Sequence, residues 1–65
     1  MKSNINKIKF DDYPDLLNVI EMSLMLKVSV KTTYKLLKNH TVKHLKIGRE
    51  YRIPKIHVID YLFQK

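Results

Sequence analysis

Lys31, Lys35 and Lys38 recur at intervals of four and three residues, and Lys46, Arg49 and Arg52 follow within a short stretch. At about 100° per residue the three lysines share one stripe of a helix, and the chemistry such a row offers is neutralisation of phosphate. Lysine supplies that charge without base identity, whereas an arginine also enters a narrow minor groove, where the negative potential is enhanced. Thr32 and Tyr34 are interleaved with these cations and bring hydroxyls that suit a base edge or a sugar–phosphate contact. The plainer alternative is a row of charges that only solubilises a helix.

The remaining reactive residues do not assemble into a catalytic set. His40 and His44 have a spacing that two metal ligands on a helix use, but no Cys, Asp or Glu stands near them and the helix is expected to end at about Asn39. No metal and no other cofactor is expected. Asp11, Asp12 and Asp15 suggest paired carboxylates, yet the stretch around them has nothing to hold them at a fixed separation, and an acidic cap on a helix start explains them more simply. Without a nucleophile–base pair, a Gly-rich phosphate loop or a metal cluster, an enzyme is not expected.

The charge balance points the same way as the basic residues. The chain has 65 residues, with 13 Lys+Arg against 6 Asp+Glu and a net charge of +7. Residues 1–26, 27–52 and 53–65 carry −1, +7 and +1, so the middle segment alone accounts for the net value. A basic face on a small domain is the electrostatic footprint of a phosphate-backbone partner. A chain this short buries only about 60% of its unfolded surface, which leaves no room for a large substrate cavity. The absence of cysteine excludes disulfides and thiolate-bound metals and suits a reducing cytoplasm. The longest uncharged stretches, Leu16 to Ile20 and Met22 to Leu26, fall far short of the ~20 apolar residues of a membrane span, and no apolar signal core follows Met1. A cytoplasmic protein without a membrane partner is expected.

These side chains need elements to position them. Residues 1–15 read as an arm that ends at Tyr13-Pro14-Asp15, and residues 16–65 as one domain. Asn18 can cap a helix while Glu21 reaches back to it, which predicts a helix from about Val19 to Leu26 with Met22 and Met25 as core filler. After the break at Lys27-Val28-Ser29, Ser29 caps a second helix. Its core face is expected to hold Val30, Thr33, Leu36 and Leu37, and its other face the lysines with Tyr34 beside them. Two short helices joined by a tight turn form a helix-turn-helix, whose second helix usually enters the major groove. Leu45 and Ile47, then Tyr51 and Ile53, alternate with polar residues around Gly48-Arg49, which predicts a two-stranded hairpin with that pair at its tip. Pro54 suits the first turn of a third helix running to about Phe63.

The segment Leu16 to Leu62, 47 of the 65 residues, resembles the excisionase-type DNA-binding domains of the MerR-like winged helix-turn-helix superfamily. The shared features are Leu16-Leu17, a small residue within the first helix at Ser23, the Val28-Ser29 turn, Thr32-Thr33-Tyr34-Lys35, the Ile47-Gly48-Arg49 wing and Arg52-Ile53-Pro54. The fold class implied is a small, mostly α, α+β winged helix-turn-helix with a hairpin wing and a C-terminal helix. The resemblance implies that the helix from Ser29 to Lys38 inserts in the major groove of double-stranded DNA and that the wing reaches an adjacent minor groove or its phosphates. The DNA-binding set is then Ser29, Lys31, Thr32, Tyr34, Lys35, Lys38, Lys46, Gly48, Arg49 and Arg52. It also implies a partner, a tyrosine-recombinase integrase that an excisionase directs toward excision of a mobile element, and with it a bacterial or phage origin. A small phage or plasmid transcriptional regulator of the same fold is the alternative. A protein-interaction module with an incidental basic surface is a third reading.

Three features depart from the family. The residue before Val28 is usually Gly because the helix end takes a left-handed backbone; here it is Lys27, at a cost of roughly 1–2 kcal/mol unless the turn is reshaped. Ile20 and Leu24, four apart, add an apolar stripe to the first helix, and Ile56, Ile59 and Phe63 add one to the last. Two explanations stand open. Either Ile5, Ile8 and Phe10 of the arm cover these residues, or Ile20, Leu24, Ile59 and Phe63 form a protein-contact surface for the integrase or for self-association on DNA.

Overall fold

The computed structural model describes residues 10–64. Ile5 and Ile8 lie outside the described residues; Phe10, the third residue expected to cover the apolar stripes, meets the Phe63 ring edge-on at 6.4 Å. A 3-10 turn, Phe10–Asp12, leads into a two-residue strand β1 (Leu16–Leu17), helix α1 (Val19–Leu26), helix α2 (Val30–Lys38), the hairpin strands β2 (Leu45–Ile47) and β3 (Glu50–Pro54), and helix α3 (Lys55–Phe63).

Each boundary has a local cause. Asn18 and Glu21 form the expected reciprocal cap of α1: the Glu21 N–H donates to Asn18 Oδ1 at 2.8 Å, and the Asn18 N–H donates to Glu21 Oε1 at 2.9 Å. Helix α1 closes with Lys27 in the left-handed region, φ 60° and ψ 43°, so the family's helix end is kept without its glycine. The Val28 N–H then reaches back to the Ser23 carbonyl at 3.1 Å, which satisfies a carbonyl the helix would otherwise leave open. Ser29 caps α2 through its hydroxyl, which accepts the Thr32 N–H at 3.1 Å. Helix α2 closes by the same device as α1, with His40 at φ 57° and the Thr41 N–H donating to the Leu36 carbonyl at 3.0 Å.

The sheet has three antiparallel strands in the order β1-β3-β2, one more than the hairpin alone supplies. The extra strand is the apolar pair Leu16-Leu17, held opposite Pro54 and Ile53. Beyond it, the Lys55 N–H donates to the Asp15 carbonyl at 2.7 Å and extends the pairing by one rung. Leu17, Met22, Leu37, Ile53 and Val58 are fully buried and, with Val19, Met25 and Val42, form the core onto which both helices of the pair and α3 pack.

One sequence expectation needs correction. On α2, Thr33 and Leu37 are buried and Leu36 partly so, but Val30 is exposed, because it opens the helix and stands at its free end. In the wing the hairpin forms as expected, and the structure adds which face its alternating residues take: Leu45 and Ile47 are both exposed. The two-residue loop fixes Lys46 opposite Tyr51, Leu45 opposite Arg52 and Ile47 opposite Glu50. Since Ile53 takes the core side of β3, Tyr51 and Lys46 share that side and Leu45 and Ile47 are carried to the outside.

Candidate nucleic-acid interface

The exposed face of α2 carries Lys31, Thr32, Tyr34, Lys35 and Lys38. It exists because the opposite face is committed: Thr33 and Leu37 are fully buried, and the Thr33 hydroxyl donates to the Ser29 carbonyl at 3.0 Å instead of facing solvent. None of the three lysines makes an ion pair among the described residues. Ser29 and Thr32 are exposed but already engaged, since the Ser29 hydroxyl donates to Thr32 Oγ1 at 3.0 Å. Lys35 and Lys38 lie in the last turn of α2, where a cation also favours the negative end of the helix dipole.

At the wing tip Gly48 has φ +61°, and a Cβ added there would meet nothing within 4 Å. The glycine is required by backbone conformation and not by space. With the positive φ at the first loop position only, the turn follows the II′ pattern, which matches the twist of the flanking strands. Arg49 is exposed beside it. Arg52 is also exposed but is paired, its Nη2 donating to Glu50 Oε1 at 3.0 Å.

An aromatic row joins wing to helix. The Tyr34 ring meets the Tyr51 ring edge-on at 5.9 Å, Tyr51 meets His44 edge-on at 5.3 Å, and His44 stacks on His40 at 5.6 Å. The ammonium of Lys46 lies 4.9 Å from the centre of the Tyr51 ring, so this member of the basic set rests against the protein. His44 Nδ1 is 2.8 Å from the Val42 carbonyl, which can only accept, so in the neutral ring the proton sits on Nδ1. The two histidines thus meet through their ring faces, and no cluster of three or more metal-ligating side chains occurs among the described residues.

Tyr34, Arg49, Glu50, Tyr51 and Arg52 line one open groove of about 450 Å³, together with Asn18 to Ile20 at the start of α1. The structure therefore brings the wing arginines alongside α2 and the beginning of α1. Among the expected protein-contact residues, Ile20 lines this groove, whereas Ile59 lines a separate apolar one formed by Asp15, Leu16, Pro54, Lys55 and Ile56. Leu24 is exposed on α1, and Phe63 is 71% exposed on α3.

Residues 16–65 match the model of a family described as the helix-turn-helix domain. The chain belongs to that family. The helix-turn-helix family binds DNA, so residues 16–65 form a DNA-binding domain. Neither a curated protein nor a solved structure matches the chain significantly.

Tyr51 and Glu50 were not among the residues the sequence pattern singled out for this face. Their places follow from the loop length: with two residues at the tip, Lys46 must face Tyr51, and Glu50 and Arg52 must share the outer side. That Tyr51 also meets Tyr34 depends on how the sheet packs on α2, which no local pattern specifies.

Proposed function

We propose that this protein is an excisionase: it binds several adjacent sites on duplex DNA beside a recombination junction, bends the DNA, and directs a tyrosine-recombinase integrase toward excision of a mobile element. The observation that supports this most directly is the single groove shared by Tyr34 of the helix-turn-helix and Arg49 and Arg52 of the wing. A helix and a wing set side by side can hold one duplex in two places at once, which is what a small architectural protein needs. The elastic cost of bending a short site is on the order of 1–6 kcal/mol, and phosphate contacts from Lys31, Lys35, Lys38 and Arg49 offset it. The protein makes no covalent change itself.

Ile20, Leu24, Ile59 and Phe63 are the residues proposed to meet the integrase or a neighbouring copy. Ile59 lines a groove beside β1 and α3, apart from the one assigned to the duplex, whereas Ile20 lines the duplex groove itself, so its partner contact is made beside bound DNA.

The test is to bind the purified protein to sheared DNA from its own source at about physiological ionic strength and sequence the retained fragments. Closely spaced sites beside an element's recombination junction are expected. Sites confined to promoters would replace this reading with a transcriptional regulator, and no enrichment would remove both.

A further inference from the structure

Residues 27–52 contain eight basic side chains and one acidic one, Glu50. It stands on the wing, one position beyond Arg49, and its carboxylate accepts from Arg52 at 3.0 Å. The fold does not need it there. Its side chain is 71% exposed and that of Arg52 50% exposed, Glu50 makes no other side-chain hydrogen bond among the described residues, and an exposed pair of this kind adds little stability. What the carboxylate does have is position, since it lines the groove with Tyr34, Arg49 and Arg52.

We propose that Glu50 is a specificity-determining residue that penalises binding to DNA of arbitrary sequence. The inference rests on the DNA-binding reading and adds a role for the one side chain on this face whose charge opposes it. A phosphate that takes Arg52 competes with Glu50 for the guanidinium, and a carboxylate that loses its Nη2 partner stands unpaired beside a polyanion. Binding to arbitrary sequence consists almost wholly of phosphate contacts, so it bears that cost in full. A base edge changes the balance, because exocyclic amino groups donate and a carboxylate accepts. At a site that presents such a group to the wing, Glu50 regains a partner as it gives up Arg52. The pair therefore trades overall affinity for discrimination, as an unfavourable element against wrong partners does elsewhere.

The experiment compares Glu50→Gln with the unchanged protein on two probes, a mixed-sequence duplex and the duplex that the unchanged protein enriches from a random-sequence pool. The variant keeps the shape of the side chain and removes its charge, and both side chains are exposed, so folding is not at stake. Affinity for the mixed duplex is expected to rise about tenfold, with a salt slope steeper by roughly 0.9 as Arg52 gains one phosphate, while affinity for the enriched duplex rises less or falls. In an Arg52→Gln background the gain from Glu50→Gln is expected to shrink, because the carboxylate acts largely through that guanidinium. Equal gains on both duplexes, no gain on the mixed one, or a gain undiminished in the Arg52→Gln background would each overturn the inference while leaving DNA binding intact. An unchanged protein that binds neither duplex and enriches none would overturn the DNA-binding reading, and this inference with it.

Discussion

The α2–wing side and the side where residues 10–15 meet α3 both depend on lysine, and they use it in opposite ways. Lys31, Lys35 and Lys38 are exposed and unpaired among the described residues. Lys55 is only 15% exposed; its ammonium donates to the carbonyls of Phe10 at 2.8 Å and Tyr13 at 3.0 Å, with Asp15 Oδ1 3.8 Å away. Lys55 thus holds the 3-10 turn and Tyr13 on the core, and Phe10 meets Phe63 edge-on at 6.4 Å beside it. An ammonium held by two backbone carbonyls is committed to the protein and becomes part of the scaffold. An ammonium left in water keeps its charge available for an outside phosphate. What separates the two roles is whether backbone acceptors converge on the nitrogen.

The largest effect that tests this comparison is expected at Lys55. Lys55→Met keeps the aliphatic stem and removes the donors, leaving the Phe10 and Tyr13 carbonyls without their charged partner. Hydrogen bonds to charged groups contribute about 1.5–3 kcal/mol, and each kcal/mol moves the melting point of a domain this small by roughly 4–8 °C. Thermal unfolding is expected to show that loss while the salt slope of DNA binding stays as it was. A stable Lys55→Met variant, or one with a flatter salt slope, would break the comparison.

Lys35→Ala and Arg49→Ala should behave in reverse. Both side chains are exposed and neither makes a side-chain bond among the described residues, so stability is expected to change by no more than about 0.5 kcal/mol. Each variant is expected to flatten the dependence of log affinity on log salt by roughly 0.9, the contribution of one neutralised phosphate. Slopes that stay unchanged in both would remove α2 and the wing tip from the interface.

Much of the basic side was legible in the sequence because it is built from local rules. Asn18 with Glu21, Ser29, the 100° spacing of the lysines and Gly48 between two alternating runs each specify a few neighbouring residues, and the described elements follow them. The role of Lys55 was not legible. Its acceptors are carbonyls 42 and 45 residues away, and every residue type has a carbonyl, so nothing in the sequence marks them. The outward turn of Leu45 and Ile47 was hidden for a related reason: alternation gives two faces but does not say which one the core takes, and it is Ile53 on the neighbouring strand that decides. Strand β1 is too short to carry a period and exists only because β3 lies beside it.

Lys27 belongs to neither side, and it gives the smallest and most discriminating test. It sits at φ 60°, a region in which a side chain costs energy and a glycine does not, and its side chain makes no hydrogen bond or ion pair among the described residues. His40 ends α2 in the same backbone region, but its ring stacks on His44, so part of its strain is returned. Lys27→Gly is therefore expected to raise stability by about 0.5–1 kcal/mol, the relief of backbone strain less the added freedom of the unfolded chain. His40→Gly should gain less, because the stacking goes with the ring. Denaturant midpoints at unchanged slope would read both differences. The salt dependence of Lys27→Gly then settles whether the residue also touches DNA: an unchanged slope makes the lysine a strained helix end and nothing more, whereas a slope flatter by roughly 0.9 would place it with Lys31 and Lys35, its charge held toward a phosphate at the expense of the turn.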